Sequence, residues 1–145
     1  MTDKSISPEE KVMKLFIRLR QLDFDHCPSI SGLISPAQMT LLEKIAKDPG
    51  CGVQDIADHL GISPPTVSVG VSKLEEGGLV ERKPNPEDGR SVQFFPTDKG
   101  EALHDKFHKS RLRKFRRLLA GLDSQEQESL LQLLERAINH AELDE

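Results

Sequence analysis

Three cations, Arg82, Lys83 and Arg90, stand at the two ends of the stretch Pro84-Asn85-Pro86-Glu87-Asp88-Gly89. Cationic groups beside such a turn suit phosphate oxygens, and an arginine projecting from its tip suits the minor groove of a duplex. Asp88 lies two residues before Arg90, a spacing at which a carboxylate can hold a guanidinium through a charged hydrogen bond. Upstream, Ser63, Pro65, Thr66, Ser68, Val69, Ser72 and Lys73 share one short segment. Its hydroxyls can bond to base edges or phosphates, Val69 can meet a thymine methyl, and Lys73 can reach a phosphate or a guanine.

The remaining reactive side chains form less complete patterns. His26 directly precedes Cys27, and an imidazolium beside an exposed thiol lowers its pKa and makes it a redox-sensor candidate. Cys51, between Gly50 and Gly52, reads as structural, and two cysteines make no disulfide framework. His104 and His108 are four apart on a predicted helix and can share a metal. No neighbouring pattern of Asp, Glu or Cys completes such a site, so a solvated pair and no metal are expected. There is no P-loop or dinucleotide glycine motif, no cofactor is expected, and no catalytic constellation is recognisable.

The elements that must position these residues belong to a chain of 145 residues, 36% hydrophobic and 30% charged, with no Trp or Tyr. A chain of this size can bury a core without staples. The start, Met1-Thr2-Asp3-Lys4, lacks the apolar stretch of a signal peptide, and no apolar run is long enough for a membrane span. The expected compartment is the cytoplasm. The net charge of -4 hides a gradient: residues 61–120 carry 12 basic and 8 acidic groups, residues 121–145 one basic and 7 acidic. A basic middle can bind a polyanion through one face despite a negative total.

Hydrophobic spacing predicts a helix over 8–23, opened by Pro8 and carrying Val12, Leu15, Phe16, Leu19 and Leu22. A loop follows over 25–33. Ser35-Pro36-Ala37-Gln38 is a helix start, and Asp48-Pro49-Gly50 is its stop. Residues 53–60 form a short helix ended by Gly61. Ser63-Pro64 starts another, with Val67, Val71 and Leu74 inward and Gly77-Gly78 as its end. Two short helices joined by a tight glycine turn have the form of a helix-turn-helix, whose second helix enters the major groove. The period then becomes extended: strands over 79–83 and 91–95 flank the turn 84–90, giving a hairpin. Thr97 caps a long helix over 98–119, with six basic residues between Lys109 and Arg117. Ser124 with Gln127 opens the last helix, whose stripe is Leu130, Leu133, Leu134, Ala137 and Ile138. The expected fold is mainly α: a winged helix-turn-helix with a two-stranded β wing, flanked by N- and C-terminal helices. Those terminal helices carry more apolar face than a small winged lobe can cover, which points to a homodimer.

The chain resembles the MarR-type transcriptional regulators from about residue 8 to 140. The resemblance is carried by Ile56-Ala57-Asp58-His59-Leu60-Gly61-Ile62-Ser63, by Pro65-Thr66-Val67-Ser68, and by the run from Lys73 to Arg82. Pro86-Glu87-Asp88-Gly89-Arg90-Ser91 and Thr97-Asp98-Lys99-Gly100 complete it. It implies a single MarR-like domain over 1–145, with 8–34 and 101–145 mainly for dimerisation and 35–100 as the DNA-binding winged lobe. It further implies a triangular homodimer on a pseudo-palindromic double-stranded operator, with Asp88 and Arg90 in the positions of the family's wing Asp and Arg. Many members release DNA when a small aromatic ligand or an oxidant acts on them. The ligand cavity implied between the helical and winged parts can be lined here by Phe16, Leu19, His26, Ile30, Met39 and Phe107. Oxidant-sensing members usually hold their cysteine within the first helix, whereas Cys27 follows it. Val69 and Gly70 stand where the family often has a basic residue, and Pro96 precedes Thr97 where it has Leu.

The expected function is therefore a homodimeric, sequence-specific DNA-binding regulator, a repressor released by a ligand or an oxidant. The alternative is a winged-helix protein-interaction module without specific DNA binding, which the negative total and the sparse charge of residues 63–76 favour. The Arg82, Asp88 and Arg90 arrangement favours the regulator.

Overall fold

The computed structural model describes residues 6–30 and 32–143. The charged start Met1–Lys4 lies outside them. Six helices and one hairpin follow in the order α1 (Pro8–Gln21), α2 (Pro36–Lys47), α3 (Val53–Leu60), α4 (Pro64–Glu76), β1 (Val80–Pro84), β2 (Val92–Pro96), α5 (Asp98–Leu119) and α6 (Ser124–Leu143). The fold is mainly helical with a two-stranded wing. It divides into two compact units, residues 1–111 and 112–145, with α5 contributing to both.

In the first unit the helix starts follow local chemistry. Ser7 and Ser35 each accept from the third helical amide, while Glu10 and Gln38 reach back to the cap amide. These capping boxes satisfy two orphan donors per helix. α1 stops at Gln21, two residues short of expectation, and Asp23 takes a left-handed conformation (φ 48°) that no helix can continue through. The core gathers Leu42 and Ile45 of α2, Ile56 of α3, Val67, Val71 and Leu74 of α4, and Phe94 of β2. Of these, Val67, Val71 and Leu74 are the inward positions that helical spacing marks in α4.

β1 and β2 pair antiparallel with Val80 opposite Pro96 and Arg82 opposite Phe94. Both strands sit one residue later than expected. The cause is Leu79: its amide donates to the Leu74 carbonyl and its carbonyl accepts from Thr97, so it closes the turn instead of entering the ladder. Phe94 also exchanges main-chain bonds with the segment before α3, accepting from Gly50 and donating to Cys51. The wing is thereby anchored to the helical lobe, which a lone hairpin requires for stability. Thr97 caps α5, accepting from the Gly100 amide at 3.1 Å. Gly100 is required by close approach, because a Cβ there would overlap the Leu79 carbonyl oxygen.

The second unit holds the end of α5 and all of α6. The opening of α6 corrects the expectation. Its cap is Asp123 with Glu126, each bonding the other's amide at 2.9 and 3.0 Å, not Ser124 with Gln127. Gln127 instead donates to the Leu119 and Leu122 carbonyls at 3.0 and 3.1 Å, tying the helix start to the end of α5. Neither α1 nor α6 contains a buried residue. No helix among the described residues is long and apolar enough to cross a membrane.

Candidate nucleic-acid interface

α4 is built to present one face. Ser63 caps it, its hydroxyl accepting from the Thr66 amide at 3.3 Å and lying 2.7 Å from the Thr66 hydroxyl. Val67, Val71 and Leu74 anchor the opposite side in the core. Pro65, Thr66, Ser68, Val69, Ser72 and Lys73 are all exposed, as helical spacing requires once the inward positions are fixed. Val69 is 59% exposed, a large exposure for a valine in the middle of a helix. Gly70 lets α4 lie close on α2, since a Cβ there would meet the Leu41 side chain.

At the wing tip the main chain is folded by side-chain acceptors. Asn85 accepts from the Glu87 amide at 3.0 Å, and Asp88 accepts from the Arg90 amide at 3.1 Å. The expected bond from Asp88 to the Arg90 guanidinium is replaced by this one, because a carboxylate two residues away bonds most readily to the turn amide. Arg90 is exposed and forms no ion pair among the described residues. Lys83 lies 4.9 Å over the Phe95 ring and 3.5 Å from Glu81. Arg82 donates from Nε to both Glu75 carboxylate oxygens at 3.0 and 2.9 Å. Glu75 was not legible as a partner, because the pair joins a helix to a strand across the glycine turn.

The first unit also contains a cavity of about 560 Å³. His26, Ile30, Met39 and Phe107 line it, as does Cys27, while Phe16 and Leu19 are not among its lining residues. Phe16 is instead 54% exposed on α1. Sequence reasoning missed the polar wall, formed by Asp23, Asp25, Glu43 and Arg111. Arg111 is 3.0 Å from both Asp25 and Glu43, and its guanidinium lies 4.4 Å over Phe107. Its Nε is buried without a hydrogen-bond partner. The Phe107–Arg111 spacing of one helical turn was the available signal. Burial raises the Glu43 pKa, but bonds from Lys47 and Arg111 outweigh it and hold the carboxyl below its ordinary value.

Cys27 is buried, not exposed, and its sulfur is 3.2 Å from the Ser29 hydroxyl. Burial opposes its ionisation, yet hydrogen bonds from Ser29 and Ser110 hold its pKa below the ordinary thiol value. The expected influence of His26 is not the cause. Cys51 is buried and pushed the other way, first by burial and then by the charge of Asp48. The His104 and His108 rings stack with centroids 6.3 Å apart, and no group of metal-binding size gathers among the described residues.

A capped helix whose outward face carries the single cation Lys73, followed by a hairpin with an arginine at its tip, defines a winged helix-turn-helix regulator that binds DNA. The MarR family model matches residues 34–92. The uncharacterized HTH-type transcriptional regulator YkoM of Bacillus subtilis is 31% identical over 108 residues, covering 74% of this chain and 70% of that one. The HTH-type transcriptional repressor Rv2887 of Mycobacterium tuberculosis is 28% identical over 114 residues, covering 75% and 82%. The crystal structure of Streptococcus pneumoniae FabT in complex with DNA has a similar fold, with a TM-score of 0.71 at 23% identity over 94% of this chain and 96% of that one. The chain belongs to the MarR family of transcriptional regulators.

Proposed function

We propose that the chain acts as a homodimeric repressor on an inverted-repeat operator, with 8–34 and 101–145 mainly for dimerisation and 35–100 as the reading lobe. The observation that carries this reading is the outward face of α4 beside the exposed Arg90. Pro65, Thr66, Ser68, Val69, Ser72 and Lys73 face base edges in the major groove. Arg90 enters the adjacent minor groove. With one cation on α4, affinity leans on the wing and specificity on hydroxyls and on Val69 against a thymine methyl.

Dimerisation accounts for two helices that contain no fully buried residue. Val12, Leu15 and Phe16 of α1, and Leu131, Leu133 and Ile138 of α6, are each more than half exposed. Apolar surface on that scale marks an interface, and two-fold symmetry closes it. A repressor role is supported by the repressor Rv2887 among the relatives. The cavity supports release by a small aromatic ligand stacked near Phe107, and the burial of Cys27 favours such a ligand over direct oxidation.

The test is selection of duplexes from a random pool at near-physiological salt, with Arg90→Ala alongside and sedimentation equilibrium for the assembly state. An inverted repeat with half-sites about one or two turns apart, weakened by Arg90→Ala, is the expected result. A well-folded protein that enriches no duplex overturns it in favour of an interaction module.

A further inference from the structure

The recognition helix and the wing are joined by only three residues, Gly77, Gly78 and Leu79. Each of their carbonyls is held from the start of α5. Lys99 Nζ donates to the Gly77 carbonyl at 3.0 Å, Thr97 Oγ1 to that of Gly78 at 2.6 Å, and the Thr97 amide to that of Leu79 at 3.0 Å. A second link bypasses the turn. Glu75, in the last turn of α4, accepts from Nε of Arg82 in β1 through both carboxylate oxygens. The Arg82 guanidinium also lies 5.7 Å from the centroid of the Phe94 ring, and that ring is fully buried. Arg82 therefore meets α4 and β2 at once, on a strand whose partner is hydrogen-bonded to the segment before α3.

We propose that Glu75 and Arg82 form a positioning pair that fixes the angle between the recognition helix and the wing, and that Arg82 governs DNA affinity through this geometry and not through a phosphate. The inference rests on the DNA-binding reading. Three features support it. The planar guanidinium matches a carboxylate edge that an ammonium cannot match. The paired charges cancel, which removes most of the attraction Arg82 would have for a phosphate. The strongly bound Glu75 further raises the Arg82 pKa. The two readings then give opposite signs at Glu75. If Arg82 held a phosphate, Glu75 would be an anion beside the DNA, and its removal would tighten binding.

The experiment uses the full chain and the duplex that the wild type selects. Glu75→Gln, Arg82→Gln, their double variant and Arg82→Lys are compared across a salt series, with melting temperatures alongside. The pair predicts that both single Gln variants and Arg82→Lys weaken binding about fivefold. The double variant loses no more than either single one, and the salt slope is unchanged. Tighter binding by Glu75→Gln, retained affinity in Arg82→Lys, or a salt slope lowered by about one in Arg82→Gln would each overturn it. So would a fall in melting temperature with no change in affinity. If the wild type selects no duplex, the DNA reading fails by itself. The pair is then read by amide hydrogen exchange in β1 and β2, which must quicken in both Glu75→Gln and Arg82→Lys for the pair to stand.

Discussion

The Asp88 carboxylate accepts from the Arg90 amide at 3.1 Å and makes no ion pair with the Arg90 guanidinium. Asp88 therefore shapes the wing tip as an oxygen acceptor, and its charge is incidental to that role. Asp88→Asn keeps an acceptor oxygen at the same place and should preserve operator affinity within about twofold, whereas Asp88→Ala loses the turn bond, a contribution on the order of 1 kcal/mol. Arg90→Ala should lower the salt slope by about one. Fluorescence anisotropy on the selected duplex measures all three. Equal losses in Asp88→Asn and Asp88→Ala would restore the charged bond as the relevant one.

Gly100 stands where α5 begins against the Leu79 carbonyl. The overlapping atom is backbone, so no side-chain rotation can relieve a methyl group there. Gly100→Ala should cost about 1–3 kcal/mol of unfolding free energy by overpacking. Because Leu79 closes the turn into the wing, operator affinity should fall with it. Urea unfolding followed by circular dichroism reads the first effect. An Ala variant as stable as the wild type would show that the α5 start can move without cost.

Much of this architecture was legible because it is local. Ser35 with Gln38, Ser63 before Pro64, Gly61 and the Gly77-Gly78 pair are caps and stops whose bonds lie within a few residues, and the structure realises each. The hairpin was legible from its period, but its register was not, since Leu79 is drawn out of the strand by Thr97, eighteen positions away. The same distinction separates the site residues. The outward positions of α4 follow from subtracting the core face of one helix. Glu75 with Arg82, and Arg111 with Asp25 and Glu43, depend on how separate elements meet. Asp123 and Ser124 are both good cap residues with an acceptor three residues on, and only the observed bonds single out Asp123.

Cys27 and Cys51 are both buried, but their thiols are shifted in opposite directions. For Cys27 burial acts against ionisation, and the Ser29 and Ser110 hydroxyls together with the Ser29 and Ile30 main chain more than compensate. Its pH midpoint for alkylation by a small neutral reagent should lie below that of Cys51, and Ser29→Ala should move it upward. Mass spectrometry of the two cysteine peptides across a pH series follows each site separately. If Ser29→Ala leaves the Cys27 midpoint where it was, the hydroxyl does not stabilise the thiolate.

His104 supplies a prediction about acid sensitivity. Burial lowers its pKa below 6.5, the Glu43 charge pulls it back up, and His108 pushes it down again. The net depression means that the unfolded chain binds the proton more readily than the folded one. Stability from this group is then complete above pH 6.5 and declines as pH falls through the depressed value. Glu43 acts in the same direction at lower pH, because its own depressed pKa makes stability fall as pH drops below 4.5 and through the folded value. Melting temperature should therefore begin to fall just below pH 6.5. His104→Gln, which cannot take up the proton, should flatten that first decline and leave the lower one. A His104→Gln variant with the wild-type profile would place the sensitivity on another group.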